Sequence, residues 1–104
     1  MREVIYEVNL AVERDIAEAF GQWLAAHIEE MVRLPGFIDA TWHQLEETPN
    51  AVQWSIHYRL ISQEAYERYI THEAPKMRGD GLTRFGGQFE ATRRVLSVHK
   101  TFSR

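Results

Sequence analysis

The chain has 104 residues, 44% of them hydrophobic and 12% aromatic, which is enough for one domain with a modest core and too aromatic for a disordered segment. A net charge of −3, with Arg93–Arg94 as the densest basic group, leaves no basic face for nucleic acid. The absence of cysteine excludes disulfides, zinc thiolates, iron–sulfur clusters and cysteine nucleophiles, and no apolar run reads as a signal peptide or a membrane span, so a cytoplasmic protein without a membrane partner is expected.

Residues 4–12 alternate with a period of two. Val4, Tyr6, Val8, Leu10 and Val12 share one side, and Ile5, Glu7, Asn9 and Ala11 the other. That predicts a strand with one strongly apolar face. At Asp15 the period changes, and its carboxylate suits a helix N-cap. Ile16, Phe20, Trp23, Leu24, His27, Ile28 and Met31 then form one stripe along a long helix, closed by Leu34-Pro35-Gly36. Residues 37–45 predict a second strand. Its weaker alternation leaves the facing open between Phe37/Asp39/Thr41/His43 and Ile38/Ala40/Trp42.

A polar stretch with Pro49-Asn50 reads as a hairpin connection. The third strand, 51–60, sets Val52, Trp54, Ile56, Tyr58 and Leu60 against Gln53, Ser55, His57 and Arg59. Ser62 caps a second helix with an apolar face of Ala65, Tyr66, Tyr69 and Ile70, which Ala74-Pro75 breaks or kinks. A further helix over 75–85 would bury Met77 or Arg78, then Leu82 and Phe85. Gly79 and Gly81 weaken it, since each costs about 1 kcal/mol in a helix interior. A last strand spans 88–98.

The order β-α-β-β-α-β predicts an α+β, ferredoxin-like fold over residues 1–104: a four-stranded antiparallel sheet in order 4-1-3-2 with both helices on one face. The other face would carry Ile5, Glu7, Asn9, Ser55, His57 and Arg59, with Arg93 or Arg94 from the last strand. Pairing with a second copy would cover it, so a homodimer is expected.

IYEVNLAV at 5–12, W-x-x-x-H-I at 23–28, PGFIDA at 35–40, YRL at 58–60, YERYI at 66–70, APKMR at 74–78 and RFGGQFEATRRVL at 84–96 run in order along nearly the whole chain. Together they resemble a bacterial family of small proteins known only as a domain of unknown function, related to the dimeric α/β-barrel superfamily. The GDG at 79–81 departs from the more helical residues expected there. The resemblance implies the ferredoxin-like fold and a dimer. The wider superfamily includes cofactor-independent monooxygenases, haem-degrading enzymes, small isomerases and members without known catalysis, so it implies no single reaction. Asn9, Trp54 and His72 loosely match the residue types that haem-degrading members use, without the spacing or facing.

Four of the sheet-face residues could carry chemistry. His57 and Arg59 share a face, as do Glu7 and Asn9 on the neighbouring strand. With Arg93 they form a candidate ligand-binding set: His57 as acid–base group, Arg59 as anion anchor, Glu7 or Asn9 as orienting group. The structural alternative for the same residues is a cross-strand salt-bridge network. His27 reads as a core histidine. No spacing suits a metal, and no cofactor is expected. Three functions stay open: a homodimer holding a small anionic or aromatic ligand between its sheet faces, a cofactor-independent monooxygenase or isomerase in the same pocket, and a structural or interaction module.

Overall fold

The computed structural model describes residues 2–104. Four strands, β1 (Val4–Glu13), β2 (Phe37–Gln44), β3 (Ala51–Leu60) and β4 (Phe89–Ser97), form one antiparallel sheet in the order β2-β3-β1-β4. Helices α1 (Ala17–Met31), α2 (Gln63–His72) and α3 (Ala74–Phe85) lie on one face of it. Strand order and α+β class are those expected from the sequence.

The alternation of β1 and β3 explains the layering. Val4, Tyr6, Leu10 and Val12 are buried with Ile56, Tyr58 and Leu60 of β3 against Phe20, Leu24 and Met31 of α1. Burying one such large side chain contributes about 1.5–3 kcal/mol, so this layer holds the fold together. Phe20 is its hub: it is fully buried, and its ring centre lies 4.9 Å from both Phe85 and Phe89.

The ends of the helices follow local chemistry. Ser62 caps α2 as expected, its Oγ accepting from the Ala65 N–H at 3.1 Å. Asp15 does not cap α1. Residues Arg14–Ile16 make a short 3-10 turn first, and Ile16 takes the N-cap position without a side-chain bond. Gly36 turns the chain at φ 84°, where a Cβ would stand 2.5 Å from the Ala65 Cβ. The turn thus needs glycine both for its backbone and for its contact with α2.

Two details depart from the sequence expectation. Helix α3 runs unbroken through Gly79 and Gly81. A Cβ on Gly81 would lie 2.9 Å from the Trp23 indole, so the close approach of α1 and α3 uses the missing side chain. Leu82, expected on the buried side, is 60% exposed, while Met77, Gly81 and Phe85 face inward. Strand β2 follows neither of the two proposed alternations from end to end. Its pairing shifts by one residue between Phe37 (opposite Leu60) and Asp39 (opposite Arg59), with Ile38 as the extra residue. Phe37 therefore points to the helices, 5.3 Å from Tyr69, while Asp39, Thr41 and His43 share the open face with Arg59, His57 and Ser55.

Candidate functional site

The register sets the open face out in rows. Thr41, His57, Glu7 and Arg94 lie in line across the four strands, and His43, Ser55, Asn9 and Thr92 form the next row. Glu7 is the hub of the first row. It is only 5% exposed, although it lies on the side without helices. Arg94 Nε donates to its Oε2 at 2.5 Å, Asn9 Nδ2 donates to the same oxygen at 2.9 Å, and His57 Nε2 lies 2.9 Å from Oε1. The Arg94 hydrogen bond, followed by that from Asn9, holds the Glu7 pKa down to about 2, overcoming burial, which pushes it up.

That electrostatic state fixes the histidine. An ionised carboxylate only accepts, so His57 Nε2 carries the proton it shares with Glu7. In the neutral ring Nδ1 is then a free acceptor. The His43 ring stands 4.6 Å away, held by Nδ1 at 3.0 Å from the Ser55 carbonyl oxygen. A carboxylate-oriented imidazole with one free nitrogen is chemically able to move a proton.

Arg59 lies one row further along the same face, and its donors are engaged. Nε and Nη2 donate to the Asp39 carboxylate at 3.1 and 2.6 Å, and Nη1 donates to Glu3 at 2.9 Å. The Arg59 fork beside Asp39 holds that carboxyl below its ordinary range. A guanidinium gripped by two carboxylates makes a poor anion anchor.

Of the five candidate residues, the structure brings Glu7, Asn9 and His57 into direct contact and sets Arg59 beside them. Arg93 does not join. It pairs with Val8 in the register and so projects to the helix side, and Arg94 takes its place. Asp39 and His43 belong to the network but were not foreseen, because the Ile38 bulge hides the facing of β2, and Glu3 was missed because it lies just before the alternating run of β1. Asn9 and Trp54 lie on opposite faces of the sheet and His72 is exposed, so these three form no common site. No group of three His, Asp or Glu able to hold a metal occurs among the described residues.

A second candidate lies on the other side of the sheet. Between β1, α1 and α3 lies an inner void of about 50 Å³ that opens outward. Its wall is mostly apolar and aromatic, including Tyr6, Phe20, Trp23, Leu24 and Met77, with Arg78, His27 and Arg93 as the basic groups. Arg78 Nη2 donates to the Tyr6 hydroxyl at 3.1 Å, and Arg78 Nε is buried without a hydrogen-bond partner. The His27 ring stacks on Trp23 at 4.6 Å, and burial pushes its pKa down, which favours the neutral ring. Burial likewise pushes up the pKa of Tyr69, which stays a neutral phenol. The cavity holds neither His57 nor Arg59. In the sequence, Arg78 beside Met77 on a helical stripe is its one signal.

The architecture is that of the ferredoxin-like α+β proteins. Three solved structures share it: a Bacillus cereus protein assigned to the antibiotic biosynthesis monooxygenases (16% identity, TM-score 0.70, 100% of both chains covered), the cofactor-independent oxygenase SnoaB from Streptomyces nogalater (15%, 0.70, 97% of this chain and 98% of that one), and a dimeric ferredoxin-like protein from an uncultured marine organism (9%, 0.73, 98% and 100%). At these identities the likeness is one of fold. Over residues 3–99 the chain matches the domain of unknown function DUF4286, and it belongs to that family. No curated protein matches it. None of the helices among the described residues is long and apolar enough to cross a membrane.

Proposed function

We propose that this chain is a single-domain cytoplasmic protein that works as a homodimer, joined through its open sheet faces, and binds a small organic molecule in the helix-side cavity of each protomer. The observation that carries the ligand reading is the cavity itself, an aromatic-walled space into which a few polar groups converge, as small-molecule sites do. The sequence suggested a ligand between two sheet faces; the proposal puts it between sheet and helices instead. The dimer reading rests on the open face, where the cations Arg59 and Arg94 and the His57 ring are each matched to a carboxylate of the same surface, so that a two-fold contact would cover no unpaired cation. The fold it shares with a protein described as dimeric agrees with this. Native mass spectrometry of freshly purified protein tests both parts. A dimer carrying added mass supports the proposal, whereas a bare monomer removes the dimer.

The oriented imidazole favours a second reading, a cofactor-independent monooxygenase or isomerase with His57 as its base. Glu7 holds Nε2 and leaves Nδ1 free, the arrangement a general base requires. A His57→Ala variant that folds normally but loses turnover would select this reading. Unchanged turnover would assign the network to assembly.

A further inference from the structure

The two faces of the sheet treat arginine differently. On the open face, Arg59 and Arg94 are each paired with carboxylates. On the helix side, Arg78 and Arg93 line one cavity, and neither forms a salt bridge among the described residues. No acidic residue lines the cavity wall. Glu30 and Asp80 act on the nearby His27 from outside it. The one hydrogen-bond partner of the Arg78 guanidinium among the described residues is the Tyr6 hydroxyl, and its Nε has none. The Arg78 side chain is only partly buried, but its Nε is enclosed, and a guanidinium keeps its charge at any physiological pH. A partly desolvated cation without a counter-charge favours the arrival of an anion.

From this we infer that the helix-side cavity takes a small flat organic carboxylate, whose anionic group is received by Arg78 and the Tyr6 hydroxyl while its ring lies against Trp23. The inference rests on the cavity being the ligand site and adds the charge and shape of the ligand. Arg93, exposed at the mouth, attracts the anion toward the entrance. Arg78 then offers its remaining N–H groups, and the planar fork suits a carboxylate. The inner void of about 50 Å³ admits only a few waters, so a ring enters by displacing the flexible Met77 and Arg78 side chains. Neutral His27, stacked on Trp23, supplies an edge to the aromatic wall and adds no charge.

The test compares benzoate with benzamide, which share a ring and differ in charge. Each is titrated into the full-length protein at neutral pH, with the Trp23 indole N–H and the Met77 methyl followed by NMR. Benzoate is expected to shift both signals and to bind about tenfold more tightly than benzamide, the size of effect a charge-assisted hydrogen bond provides. Arg78→Met is expected to abolish that preference, and Arg78→Lys to keep part of it. Equal affinity for the two probes, or a benzoate preference that survives Arg78→Met, overturns the carboxylate inference and leaves the cavity as the ligand site. If neither probe moves Trp23 or Met77, both the inference and the cavity reading fall. Should Arg78→Met not fold, the comparison of the two probes on the unaltered protein decides.

Discussion

The sheet presents two faces with opposite electrostatic characters. On the open face every strand contributes a polar side chain, and each cation is paired: Glu7 is held by Arg94, Asn9 and His57, and Arg59 by Asp39 and Glu3. On the helix side the layer is apolar and aromatic, and the basic groups at its cavity have no acidic partners there. A surface whose cations are all paired suits contact with a copy of itself. An unbalanced cation beside an aromatic cavity suits a ligand. On the proposed reading, the number of polar residues on a face says little about where a ligand goes, and their state of pairing says more.

Substitutions on the two faces should separate these roles. The largest effect is expected at the hub of the helix side. Phe20→Ala should cost about 3–5 kcal/mol in urea unfolding, because the ring is fully buried among Trp23, Phe85 and Phe89 and leaves a cavity behind. Glu7→Gln should cost about 1–2 kcal/mol, less than the core change because Arg94 is 68% exposed and can turn to water once its partner is gone. The same variant should weaken the dimer in sedimentation velocity.

Acid titration sharpens the comparison. The folded-state pKa of Glu7, about 2, lies below its ordinary value of 4.5. Its contribution to stability is therefore complete above about pH 4.5 and is lost as pH falls toward 2. Glu7→Gln should flatten that part of the stability–pH curve, which thermal melts across the range would record. The smallest effects should come from two charge changes. Arg78→Met should alter stability by less than about 1 kcal/mol, since it gives up one hydrogen bond to Tyr6 but also removes an enclosed Nε that has no partner. Asp39→Asn should also change it by less than about 1 kcal/mol, as expected of an exposed pair. A large loss for Arg78→Met would make that arginine structural and weaken the contrast between the faces.

The sequence disclosed the fold more fully than the site. Strict alternation in β1 and β3 set their facing, and so placed Glu7, Asn9, His57 and Arg59 together before any coordinates. Ser62, Pro35-Gly36 and Ala74-Pro75 marked boundaries because their local chemistry acts without tertiary help. Three things stayed hidden. The extra residue at Ile38 shifts β2 by one position, which moved Asp39 and His43 to a face no simple alternation could assign. Arg93 and Arg94 are adjacent, so choosing between them required the register with β1. Gly81 looked like a helix breaker, whereas tertiary packing against Trp23 makes its missing side chain useful. The cavity left almost no pattern of its own, because a void is set by how α1 and α3 approach the sheet, and the helical stripe could not choose between Met77 and Arg78 as the buried residue.

The central claim is that the two faces meet different partners, a second copy on one and a small molecule on the other. An isotope-filtered NOE experiment on a mixture of labelled and unlabelled full-length chains tests the dimer half of it residue by residue. Dimerisation through the open faces predicts intermolecular NOEs from the Ile5, Ala11, Thr41 and Leu96 methyls, which share that face. Intermolecular NOEs confined to the outer surfaces of α1 or α3, or none at all, would contradict it.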